Sequence, residues 1–122
     1  MKAEEVGRRY QIPLELLRED QDWGFISRTG EYEEADLPRL SLMLTLQEIG
    51  FAPAEIREYL QLWLDGDKSS ARRIQLLEEK RGRILETIHA GEQKLERLDC
   101  LRYHLRKQMV SAESAGKTGR RG

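Results

Sequence analysis

The sequence predicts an all-α protein with a small β wing: a head of four short helices followed by one long helix. Three observations carry this. From Ser70 to Met109 apolar residues recur at helical spacing for about five heptads. Before that stretch, short amphipathic segments are punctuated by Pro13, Pro38, Gly50 and Pro53, the signals that open and close helices. Between Trp23 and Tyr32, aromatic and β-branched residues flank the glycine-containing turn Arg28-Thr29-Gly30, a pattern typical of a hairpin or wing.

The long helix carries the strongest signal. With Ile74 as a heptad a position, the a sites are Ile74, Arg81, Ile88, Leu95, Arg102 and Met109, and the d sites are Leu77, Ile84, Gly91, Leu98 and Leu105. Eight of these eleven are apolar, the other faces are mostly Glu, Lys and Arg, and proline is absent. Such a helix is roughly 60 Å long at about 1.5 Å per residue, longer than a small domain can cover. A second copy of the helix is the simplest partner, which predicts a homodimer through Ile74, Leu77, Ile84, Ile88, Leu95, Leu98, Leu105 and Met109. The competing reading is a helix hairpin turning at Gly91, but a hairpin needs a loop of about two to five residues, and Gly91 has no second turn residue beside it.

The chain has 122 residues and a net charge of −1 that hides an asymmetry. Residues 1–64 carry seven Lys/Arg and thirteen Asp/Glu, a balance of −6; residues 65–122 carry fourteen and nine, a balance of +5. An acidic head on a basic stalk bears directly on partners. Met1 to Arg9 lacks the apolar core of a signal peptide, and Leu40 to Gln47, the least polar stretch, is far too short to span a membrane. The single cysteine, Cys100, cannot form an internal disulfide, which suits a reducing cytoplasm. A cytoplasmic protein without membrane contact is expected.

In order, Ala3 to Arg9 is predicted as a first helix with Val6 inward. Pro13 opens a second helix, to about Asp22, with Leu14 and Leu17 on its inner face; the two form a helix-turn-helix. Glu33 to Ile49 is a third helix with the core stripe Leu37, Leu40, Met43 and Leu46, opened by Glu34 and Asp36 and closed by Gly50. Pro53 opens a fourth helix carrying Ile56, Tyr59, Leu60 and Trp63. The expected domains are a head over 1–64, a linker over 65–69, a dimerisation helix over 70–110 with Ser69 or Ser70 as its N-cap, and a Gly/Ser/Ala-rich tail over 111–122 expected to be disordered.

By Tyr32 to Leu60 the order of residues resembles the MerR family of bacterial transcription regulators. Glu5-Val6 with Ile12, Leu17-Arg18, Trp23-Gly24-Phe25-Ile26, Tyr32, Asp36-Leu37, Leu40, Met43, Leu46, Gly50-Phe51 and Glu55-Ile56 carry the resemblance, and the last helix is similar to that family's antiparallel coiled-coil dimerisation helix. The resemblance covers residues 2 to about 109. It implies a short, two-fold dimeric member without an effector domain, whose winged helix-turn-helix heads lay their second helices in the major groove of double-stranded DNA, with Arg18, Arg28 and Tyr32 as DNA-binding residues. The sequence departs from the family where DNA is touched. Glu19 and Asp20 stand where the family has two tyrosines, Glu15 stands where a basic residue is common, and Asp22 brings the second helix to a balance of −3 against Arg18 alone. Gly30-Glu31 replaces the usual arginine pair of the wing. A carboxylate facing a phosphate repels it, so DNA binding is expected to be weak. On this reading Glu19 and Asp20 both face DNA, and exchanging both for tyrosine is expected to tighten binding without disturbing the fold.

Smaller signals read plainly. Arg18 is either a phosphate contact or an intrahelical partner of Glu15 or Asp22; Arg8 and Arg9 read as a solvated face. Cys100 and His104 lie one helical turn apart, but a structural zinc needs four ligands, and no metal site is expected. Gly116-Lys117-Thr118 has neither the preceding glycine nor the strand of a phosphate loop. No catalytic constellation and no cofactor site are expected. Two functions remain: a dimeric DNA-binding transcription regulator with an acidic, weakened reading surface, or a protein-interaction module on the same fold that docks a basic partner or mimics DNA. Leu95→Glu puts a charge into the apolar seam and is expected to yield monomers in a sedimentation experiment; a variant that still sediments as a dimer places the interface elsewhere.

Overall fold

The computed structural model describes residues 1–27 and 29–121, with side chains described to Ser114. Among the described residues there are five α-helices: α1 (Ala3–Tyr10), α2 (Leu14–Asp22), α3 (Leu37–Ile49), α4 (Pro53–Leu64) and α5 (Ser70–Arg121), with short 3-10 turns at Glu34–Asp36 and Gly66–Ser69. The chain divides into two compact units, Met1–Glu78 and Glu79–Gly122.

In the first unit, α1 and α2 form the helix-turn-helix. Gln11 takes a left-handed conformation at the end of α1, the Ile12 N–H donates to the Gly7 carbonyl at 3.0 Å, and Pro13 precedes α2. Gly7 lets the turn approach closely, because a Cβ there would lie 3.0 Å from the Ile12 carbonyl oxygen and 3.4 Å from Leu17. The core gathers Val6, Ile12, Leu16, Leu17, Tyr32, Leu40, Met43, Leu46, Phe51, Ile56, Tyr59 and Leu60, with Trp63 and Leu76 packed against it. Leu16 rather than Leu14 accompanies Leu17 inward; Leu14 is 48 % exposed. Leu37, expected in the core stripe of α3, is only half-buried, and Arg39 is buried beside that stripe. Asp36 accepts the Glu33 N–H at 2.8 Å at the 3-10 turn that leads into α3, and Glu55 accepts the Ala52 N–H at 2.9 Å at the entry of α4. Gly50 closes α3 at φ 103°, a left-handed cap that favours glycine.

Three expectations are corrected. No β wing forms among the described residues: the segment after α2 is a chain of turns, with the Gly24 N–H on Gln21, Phe25 on Asp20 and Gly30 on Ser27. The reason lies at Tyr32, whose N–H donates to the Met1 carbonyl at 2.6 Å while the Met1 ammonium donates to the Tyr32 carbonyl at 2.7 Å. Both backbone groups of Tyr32 are thus taken by Met1 and not by a strand across the turn. Second, the expected linker Asp65-Gly66-Asp67 leads into a 3-10 turn in which Ser69 sits against the Leu62 and Gly66 carbonyls and accepts from Arg73 Nε at 2.9 Å. Third, α5 runs for 52 residues to Arg121, through the segment for which composition predicts disorder. No proline interrupts it, and Ala112, Glu113 and Ala115 are compatible with helix. Gly91 does not break α5, so the hairpin alternative falls. No described helix is long and apolar enough to cross a membrane.

Two glycine substitutions should separate strain from propensity. Gly50→Ala is expected to lose about 1–2 kcal/mol in urea unfolding, the penalty of a left-handed alanine. Gly82→Ala, in open space along α5, is expected to gain about 1 kcal/mol. Equal effects would contradict the assignment of Gly50 as a conformational cap.

Candidate nucleic-acid interface

α2 is the second helix of the helix-turn-helix. Its inner face buries Leu16, Leu17 and Asp20; its outer face exposes Glu15, Arg18 and Asp22, with Glu19 half-buried. Residues four apart share a face, so Asp20 follows Leu16 inward and not Arg18 outward.

Asp20 is fully buried and is received by two partners. Arg39 of α3 clamps it in a two-point ion pair, Nε to Oδ1 at 2.9 Å and Nη2 to Oδ2 at 3.0 Å. The Tyr32 hydroxyl lies 3.2 Å from Oδ2 and 3.3 Å from the Leu17 carbonyl, so its one proton is directed at α2. The remaining arm of the guanidinium reaches Asp36 Oδ1 at 2.9 Å. Among the described residues no buried side-chain polar atom lacks a partner. Burial, then the negative charge and hydrogen bond of Asp20, push the Tyr32 hydroxyl well above the ordinary tyrosine value, so it stays a protonated donor. Burial alone would lower the Arg39 value; the hydrogen bond and charge of Asp20, helped by Asp36, hold it above the ordinary arginine range.

Two sequence expectations therefore change. Tyr32, expected as a DNA contact, is 1 % exposed and serves the core. Asp20, expected to repel phosphate from the surface, is paired with Arg39 inside the head, so replacing it by tyrosine breaks a packed ion pair and is expected to destabilise the head. Sequence reasoning missed Arg39 altogether. Arg18 is exposed, and among the described residues no ion pair joins it to Glu15 or Asp22. Arg28 lies outside the described residues, as do the side chains of Lys117 and Arg120. With Asp20 removed, three acids and Arg18 leave the outer face of α2 at −2 rather than −3.

Beside Arg18 a cleft of about 380 Å³ is lined by Lys2 and Glu4 of the α1 entry, Gln21 of α2, and Thr29 and Glu31 of the turn. Its two cations are matched by two carboxylates. Arg8 and Arg9 are exposed on α1, the latter with its guanidinium 5.6 Å from the Tyr10 ring centroid. On α5, the seam residues expected to dimerise are all exposed, from Leu77 at 38 % to Leu105 and Met109 at 60 %. A shallow hollow of about 200 Å³ lies along it, lined by Lys80, Arg83, Ile84, Thr87 and Ile88. Cys100 is exposed, and among the described residues no three His, Cys, Asp or Glu side chains are grouped to hold a metal.

Removing one member of a buried ion pair leaves the other charge stranded, so Asp20→Ala is expected to lose about 3–5 kcal/mol of stability, while the apolar pair Asp20→Leu/Arg39→Met is expected to recover most of that. Urea unfolding of the two variants measures both; equal losses would mean that shape, and not stranded charge, sets the cost.

No curated protein and no solved structure matches the chain. A family described as "MerR, DNA binding" matches residues 37–108, from the start of α3 through most of α5. The matched stretch is the frame that carries α2 and continues into the long helix, and it spans more than half of the sequence: the chain belongs to the MerR DNA-binding family.

Proposed function

We propose that the protein is a homodimeric, cytoplasmic regulator of transcription that binds double-stranded DNA weakly through α2, without catalysis and without a cofactor or metal. The observation that carries the reading is the family match over the frame of the head and the long helix, joined to an exposed α2 on which Arg18 stands free of an intrahelical ion pair. Arg18 and Arg28 are the phosphate contacts; Tyr32 supports them from inside by holding Asp20. The exposed seam of α5 supplies the dimer contact, which brings together two heads for two half-sites.

A specific observation favours a second reading. Glu15, Glu19 and Asp22 surround Arg18 on the outer face of α2, and Glu4 and Glu31 line the neighbouring cleft. That surface suits a basic protein partner as well as it suits a phosphate backbone.

Fluorescence anisotropy on duplex DNA across a salt series separates the two. Four phosphate contacts per dimer give a log–log salt slope of about −3 to −4, and Arg18→Ala should reduce its magnitude by about 2. Glu19→Tyr, which removes one acid per head without touching the core ion pair, should tighten binding. A much steeper slope would place the footprint on other cations, such as Lys117 and Arg120. Absence of binding in both the parent protein and Glu19→Tyr favours the protein-interaction reading.

A further inference from the structure

Four charged side chains line the cleft of about 380 Å³ beside α2: Lys2 and Glu4 at the entry of α1, Arg18 on α2, and Glu31 on the turn that follows. All four are exposed, and among the described residues none of them forms an ion pair. They come from three stretches of chain whose backbones are fixed. The Lys2 carbonyl accepts the Val6 N–H at 3.1 Å, and the reciprocal pair of Met1 and Tyr32 sets the residues next to them, Lys2 and Glu31, on one cleft. On the turn, Ser27 Oγ lies 2.8 Å from Thr29 Oγ1 and donates to the Glu31 carbonyl at 3.3 Å. The buried Leu17 and the half-exposed Leu14 give the cleft an apolar wall.

Two cations against two carboxylates leave the cleft without net charge. An anion entering it gains two attractions and meets two repulsions, and so does a cation. A zwitterion sets its carboxylate on the cations and its ammonium on the acids, and every contact is then attractive. The volume lies at the small end of the range for ligand sites, about 300–1,000 Å³, which suits an amino acid or a dipeptide. The leucine wall suits an apolar side chain.

We propose that this cleft binds a small zwitterion, an apolar amino acid or short apolar peptide, with its carboxylate on Arg18 and Lys2 and its ammonium on Glu4 and Glu31. Arg18 is also the residue assigned to phosphate, so the ligand and DNA exclude one another at α2. The head itself thereby carries a small-molecule response. The ligand site stands apart from the DNA-binding reading; the competition rests on it.

Leucine, isocaproate and isoamylamine share one apolar body and carry both charges, the carboxylate alone or the ammonium alone. In proton–nitrogen NMR titrations of the full chain, leucine should shift the amides of Lys2 to Glu4, Arg18 to Gln21 and Thr29 to Glu31 saturably, with a Kd on the order of 1 mM. The two analogues should bind at least about tenfold more weakly. Arg18→Ala and Glu31→Gln, both surface changes, should each weaken leucine binding about tenfold, whereas Arg57→Ala, on the exposed side of α4, should leave it unchanged. Leucine should also lower the affinity for duplex DNA in the anisotropy experiment. An equal response to isocaproate makes the cleft a plain anion seat and overturns the proposal, as does the absence of saturable shifts at these amides. Saturable binding with undiminished DNA affinity overturns the competition. A chain that binds leucine but no duplex DNA removes the DNA-binding reading and leaves the ligand site standing.

Discussion

The Asp20 carboxylate joins the second helix of the helix-turn-helix to the helix that the family match begins with. Asp20 belongs to α2 and Arg39 to α3, and their two-point ion pair at 2.9 and 3.0 Å is shielded from water. Tyr32, arriving from the turn segment, closes the remaining side, and Asp36 takes the last arm of the guanidinium. Four residues from three stretches of chain are thus tied at one point. A carboxylate that is neutralised and hydrogen-bonded is tolerated in a core; a stranded one is not. The orientation of α2, and with it the placement of Arg18, depends on this contact more than on the modest apolar area that a nine-residue helix can bury.

The same contact changes the functional balance. An acid at position 20 exposed to a phosphate backbone would argue against DNA binding; an acid turned inward argues only that α2 is rigidly mounted. The outer face keeps Glu15, Glu19 and Asp22 around one arginine, so the surface remains acidic although the deepest of its acids is spent internally.

The helices were readable because their signals are local: Pro13 and Pro53 at helix starts, Gly50 at a helix end, and the heptads of α5. The burial of Asp20 was readable in principle. It stands four residues after Leu16 and three after Leu17, on the face they share, and Arg39 sits beside Leu40 in a leucine-rich helix. Matching position 20 to a surface tyrosine of the family hid that periodicity. That no wing forms among the described residues was not readable, because Tyr32 pairs with Met1, thirty-one positions away in sequence, and no local pattern reports such a contact. Nothing near Tyr32 in sequence reveals that its hydroxyl points inward.

The central claim is that α2 is locked to α3 by the ion pair, so the two helices open only together. Native-state hydrogen exchange measures this directly. The account predicts that the amides of Arg18 to Gln21 exchange with the same opening free energy as those of Leu40 to Leu46, close to the free energy of global unfolding. Exchange of the α2 amides through a separate, lower-energy opening, with α3 still protected, would contradict it.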